Sequence, residues 1–173
     1  MSVLPAPAYL VVMGVAGCGK SSLGSALAQA EGLPLIEGDD HHSPTSRDKM
    51  RQGIALTDAD REGWLATLGH LLQAQPQGVV LTCSALKKVY RDRLRQACPG
   101  LRFVFLDIDR ASAGQRVAAR AGTHFFSTAL VDSQFATLES PVGEPGVLRL
   151  DAAADLSTLQ QQASAWIAAT EAA

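Results

Sequence analysis

Lys20 and Ser21 close a run, Met13-Gly14-Val15-Ala16-Gly17-Cys18-Gly19-Lys20-Ser21-Ser22, that satisfies the spacing G-x-x-x-x-G-K-[ST] from Gly14 to Ser21. Glycines at 14, 17 and 19 let the backbone turn where a Cβ would obstruct it, so successive N–H groups can face an anion. The Lys20 ammonium suits the β- and γ-phosphates of a nucleoside triphosphate, and the Ser21 hydroxyl suits the Mg²⁺ that bridges them. Val15, Ala16, Cys18 and Ser22 complete the candidate nucleotide-binding set. Cys18 fills a variable position of the pattern and reads as a tolerated small residue, although a helix N-terminus is a setting that lowers a thiol pKa.

A second polar group, Glu37-Gly38-Asp39-Asp40-His41-His42, follows the next apolar run. Phosphoryl transfer to a hydroxyl needs a place for the hydroxyl proton. Asp39 is the candidate: a carboxylate there can orient an attacking hydroxyl, hold a Mg²⁺-bound water, or do both, with Asp40 as second choice. The third strand carries no acidic residue at its end, which favours an indirect metal role for Asp39. The adjacent histidines lack the Cys or carboxylate spacing of a metal site.

These groups need elements to hold them. Residues 9–13 form an apolar, β-prone run ahead of the glycines, and residues 22–29 repeat apolar side chains at helical spacing, so strand, loop and helix come in the required order. Further strands are expected at 33–36, 78–83, 102–108 and 147–150. A polar helical stretch covers 45–52, and a helix capped by Thr57 or Asp58 runs to 74 with Trp64, Leu65, Leu68, Leu71 and Leu72 on its apolar side. The third strand is read as running directly into a basic helix over 84–95. Helices over 111–120, through about 138 and over 156–169 complete an alternation that predicts an α/β fold: a five-stranded parallel sheet flanked by helices.

With 173 residues the chain fits one domain, 1–173. A net charge of −2 offers no basic footprint for nucleic acid. Three cysteines without metal spacing argue against a disulfide framework, and the first eight residues lack the basic start of an export signal. No run approaches about 18 apolar residues, so no membrane span is predicted and the cytoplasm is the expected location.

The chain resembles the gluconate kinases, small relatives of the adenylate and shikimate kinases. The resemblance rests on the phosphate loop, Gly38-Asp39-Asp40-His41-His42, Lys49-Met50, Asp58-Ala59-Asp60-Arg61-Glu62-Gly63-Trp64-Leu65, Cys83-Ser84-Ala85-Leu86-Lys87-Lys88-Val89-Tyr90-Arg91-Asp92 and Gly122-Thr123-His124-Phe125-Phe126. It implies a P-loop kinase fold with a mobile lid near 116–130, transfer from ATP with Mg²⁺ to D-gluconate giving 6-phospho-D-gluconate, and a homodimer. By the same resemblance Arg61 is the first candidate for the acid's carboxylate; Lys87 and Arg91 follow on position, read as starting a helix just past the third strand and lying four residues apart on one side. His42 and His124 join them as substrate ligands. Arg116 and Arg120 are lid arginines over the phosphates, with Lys20, Asp39 and Arg120 as the catalytic set. Two departures stand out: Ser43 separates His42 from Pro44 where the family has His-Pro, and Thr57 replaces an Asn. A shikimate or nucleoside-monophosphate kinase is the alternative enzyme, disfavoured because the third strand ends in Cys83-Ser84-Ala85 and not in a glycine cluster. A non-catalytic ATP-binding module has no need of a base and a lid.

Overall fold

Apolar runs such as Leu10 to Met13, bulky at every position, suit strands covered on both faces. In the computed structural model, which describes residues 6–120 and 128–171, they are β1 (Ala8–Met13), β2 (Leu35–Glu37), β3 (Gly78–Thr82), β4 (Arg102–Asp107) and β5 (Val147–Asp151). All pair in parallel, in the order β2-β3-β1-β4-β5. The described helices are α1 (Lys20–Glu31), α2 (Pro44–Arg51), α3 (Asp58–Gln73), α4 (Lys88–Ala97), α5 (Arg110–Ala119), α6 (Thr128–Thr137) and α7 (Leu156–Glu171). Side chains alternate across the sheet: Leu10, Val12 and Val104 join a core with α1, α5 and α7, whereas Val11, Met13 and Phe103 join one with α3 and α4. The expected parallel sheet wrapped by helices is present.

Strand order reverses direction at β1, which opens a crevice beyond the carboxyl ends of the central strands. The glycine-rich loop leaves β1 there, Asp39 follows β2, and Cys83 follows β3. Gly38 lets the second of these come close, because a Cβ on it would sit 2.2 Å from the Thr82 carbonyl oxygen.

The boundaries of β2 and of the basic helix differ from the sequence reading in ways that bear on the site. β2 begins at Leu35, after Pro34, and extends to Glu37, which carries a carboxylate to the strand end. The basic helix starts at Lys88 and not at 84, since Ala85 takes a left-handed φ of 47° that a helix cannot contain. Lys87 is therefore its N-cap residue and lies outside the helix that carries Arg91. Arg91 itself is fully buried: its guanidinium grips Glu144 through two nitrogens at 2.6 and 3.0 Å and donates to the carbonyls of Ala85 (2.7 Å) and Glu139 (2.9 Å). The expectation that it binds a ligand is corrected, because these bonds tie the loop after β3 to the segment before β5.

Thr57, not Asp58, caps α3. Its hydroxyl accepts the Asp60 amide while the Asp60 carboxylate accepts the Thr57 amide, a reciprocal box that Lys49 closes from α2 at 2.9 Å. The Thr57 amide and the Lys49 ammonium hold the Asp60 carboxyl down at about 2, from an ordinary 3.8. A folded-state pKa below the unfolded one contributes stability that is present above the unfolded value and lost as pH falls through the folded one. Denaturant titrations should therefore show the protein losing stability between pH 4 and 2, and Asp60→Asn should flatten that limb; an unchanged acid limb would remove the box as its source.

Candidate active site

The site is built from the strand ends outward. Gly19 occupies the N-cap of α1 in a left-handed conformation, so the amides of Gly19, Lys20, Ser21 and Ser22 have no carbonyl one turn back to bond. The positive end of the α1 dipole coincides with them. Lys20 folds back over the loop and donates to the carbonyls of Gly14 and Val15, both at 3.1 Å.

The Ser21 hydroxyl donates to Glu37 at 3.0 Å, and the Thr82 hydroxyl donates to the same oxygen at 2.5 Å. Thr82 in turn accepts the Gly38 amide at 3.3 Å. Glu37 thus takes the Ser21 hydrogen, which leaves the Ser21 oxygen as an acceptor. Sequence reasoning missed Glu37; the available signal was a carboxylate at a strand end two residues before Asp39.

Asp39 lines a small hollow together with Gly17, Gly19, Lys20, Ser21 and Arg120. Arg120 reaches this hollow from the C-cap position of α5. Arg116, the other arginine expected over the phosphates, lies against the loop backbone. It donates to the backbone carbonyls of Gly17 (3.2 Å), Cys18 (3.3 Å) and Ala152 (2.9 Å). The same guanidinium borders a cavity of about 270 Å³ that is also lined by Cys18, Gly19, Ser22, Ala154 and Leu159.

On the other side of Asp39 lies a half-apolar wall. Trp64 donates its indole N–H to the Gly38 carbonyl at 2.8 Å and stacks on His42, ring centroids 4.1 Å apart with planes at 20°. His42 Nε2 sits 3.5 Å from Asp39 Oδ1. Arg61, one helical turn before Trp64, is buried with its guanidinium 5.4 Å from the Tyr90 ring centroid. Among the described residues, His42 Nδ1 and Arg61 Nε are the buried side-chain nitrogens with no hydrogen-bond partner. An unsatisfied buried polar atom costs about 1–3 kcal/mol, so a pair of them beside a carboxylate suits a polar ligand. Lys87 reaches the rim: it pairs with Asp58 at 2.9 Å, and Tyr90 donates to the same Asp58 oxygen. The Tyr90 hydroxyl and the Lys87 ammonium hold the Asp58 carboxyl below the usual carboxylate range. His41 is exposed. His124, Phe125 and Phe126, with the centre of the expected lid, lie outside the described residues.

These features define a P-loop kinase: a doubly wound parallel sheet, an anion cup ending in Lys-Ser, and a carboxylate with an arginine at its lip. A family model described as an AAA domain matches residues 10–144. The gluconokinase of Gluconobacter oxydans is 43% identical over 147 residues, covering 83% of this chain and 82% of that protein. The thermosensitive gluconokinase of Escherichia coli is 40% identical over 156 residues, covering 88% and 83%. A crystal structure of a gluconokinase from Sinorhizobium meliloti 1021 superimposes with a TM-score of 0.88 at 45% identity, covering 96% of this chain and 95% of that one. The chain belongs to the gluconokinase family.

Cys18 and Cys83 sit inside this site, yet burial raises both thiols. It outweighs the Lys20 and Arg116 charges that pull Cys18 down, and it pushes Cys83 up to about 12. The lowered pKa that a helix N-terminus would give Cys18 is not realised. Cys98 is raised by burial as well. Iodoacetamide at pH 8 should leave all three unmodified in the folded protein and alkylate them in denaturant, read by intact mass; rapid labelling of native Cys18 would contradict this.

Proposed function

We propose that the chain transfers the γ-phosphoryl group of ATP to a hydroxyl of D-gluconate, giving 6-phospho-D-gluconate and ADP. The observation that carries this reading is the position of Asp39: it lines one hollow with Lys20 and Ser21 and meets, at 3.5 Å, His42, whose ring stacks on Trp64 of the helix that also carries the buried Arg61.

The orphan amides of the first turn of α1 hold the β- and γ-phosphates, and Lys20 exchanges its loop carbonyls for phosphate oxygens. The cavity of about 270 Å³ beside Arg116 accepts the adenine. Arg61 takes the acid's carboxylate in the planar fork geometry that arginine offers, with Lys87 at the rim and His42 toward the hydroxyls. The hydroxyl oxygen then bonds to the γ-phosphorus as the bond from that phosphorus to the β–γ bridging oxygen breaks. The hydroxyl proton passes to Asp39, and Arg120 offsets charge on the transferring group.

The residues also fit Mg²⁺. No cluster of three His, Cys, Asp or Glu among the described residues is placed to hold a metal alone. Mg²⁺ keeps several waters and binds through one or two protein oxygens plus phosphates, which Ser21, backed by Glu37, supplies, with Asp39 acting through water. When bound, the ion neutralises charge between the β- and γ-phosphates.

Family resemblance supports a homodimer, to be read by light scattering. No described helix is long and apolar enough to cross a membrane. The three cysteines are free and buried, which suits a reducing compartment such as the cytoplasm.

A coupled ADP-release assay over gluconate, shikimate and AMP should give turnover with gluconate alone; faster turnover of either competitor would overturn the assignment. Asp39→Asn should lower kcat by roughly 10²- to 10⁴-fold with ADP affinity retained. Undiminished turnover would take the proton elsewhere.

A further inference from the structure

Gln134, on α6, is a buried polar residue with no role in the reaction described so far. Its Oε1 accepts the Ala16 amide at 2.7 Å, across 118 residues of sequence. Peptide units here are all trans, and in a trans unit the N–H and the preceding C=O point in opposite directions. Fixing the Ala16 N–H outward on Gln134 therefore turns the Val15 carbonyl inward, where it accepts both the Lys20 ammonium at 3.1 Å and the Cys18 amide at 3.2 Å.

Arg116 acts on the next units by the same geometry. Its grip on the Cys18 carbonyl turns the Gly19 N–H the opposite way, toward the anion cup. Helix α5 approaches closely enough for this because residue 17 is glycine: a Cβ there would lie 2.8 Å from the Ala113 carbonyl oxygen. Two side chains on adjoining helices thus hold three consecutive loop residues from behind.

We propose that Gln134 is a positioning residue for nucleotide binding: with Arg116 it fixes the peptide planes of residues 15–19, so that Lys20 and the Gly19 amide face the polyphosphate before it arrives. The proposal rests on the nucleotide-binding half of the proposed function and is independent of the acceptor. Without Gln134 the 15–16 unit is held only from its carbonyl side, by the Cys18 amide and the Lys20 ammonium, and the Val15 carbonyl fixes Lys20 less firmly. Preorganisation is then lost, and affinity falls with it. Gln134 touches no reacting atom in this scheme and works through the backbone.

The test is calorimetric titration of Mg-ADP into the full chain and into Gln134→Leu and Gln134→Met, which keep volume and remove the acceptor. ADP affinity should weaken roughly tenfold in both, the loss of one buried hydrogen bond. In turnover, KM for ATP should rise by the same factor while KM for the acceptor stays put. A residue that only supports the fold would lower the active fraction and leave both KM values unchanged. ADP affinity within twofold of the parent in either variant overturns the proposal. Should neither variant fold, amide hydrogen exchange on the parent decides: the Ala16 amide should be protected with and without ADP, and fast exchange in both states contradicts the clamp. Because ADP binding needs no acceptor, a failure of the gluconate assignment leaves this result readable.

Discussion

The first turn of α1 leaves four backbone N–H groups without an intrahelical acceptor, and no side chain among the described residues caps them. Left to water they are a neutral feature of any helix end. Set at the mouth of a sheet crevice, with the helix dipole behind them and Lys20 folded over them, they make a site whose natural occupant is a polyphosphate. The rest of the architecture decides which way these groups face and what else stands within reach. β1 delivers the loop, β2 delivers Glu37 and Asp39, and β3 delivers the Thr82 hydroxyl that anchors Glu37.

The acceptor side follows a different logic. The phosphate side is made of backbone donors, and the opposite wall is made of His42 with the α3 side chains Arg61 and Trp64, buried around two nitrogens that lack hydrogen-bond partners among the described residues. Leaving such atoms unpaired costs stability, and a bound polar acid would repay that cost with contacts made only in the complex. Arg61 suits this role better than Lys87 because its guanidinium is already desolvated against Tyr90, whereas the Lys87 ammonium is paired with an exposed Asp58.

What the sequence disclosed tracks how local each signal is. The loop, its strand and its helix are contiguous, so the spacing of glycines, Lys20 and Ser21 carries both the motif and its geometry. Asp39 was legible for the same reason: it follows a strand end. Arg91 was not, since its partner Glu144 lies 53 residues away and nothing in a helical spacing reveals a buried ion pair. The late start of α4 turns on the single left-handed Ala85, which no periodicity announces. Gln134 is the extreme case, a polar residue on an ordinary helix whose partner is a backbone amide at the other end of the chain.

A crystal structure of the protein with a non-hydrolysable ATP analogue, Mg²⁺ and gluconate tests the central claim most directly. The account predicts β- and γ-phosphate oxygens within hydrogen-bond reach, about 3 Å, of the Gly19 to Ser22 amides and of Lys20 Nζ, with a gluconate hydroxyl between the γ-phosphorus and Asp39. A triphosphate bound away from that first helical turn, or a gluconate whose hydroxyls all lie on the far side of Asp39, would contradict it.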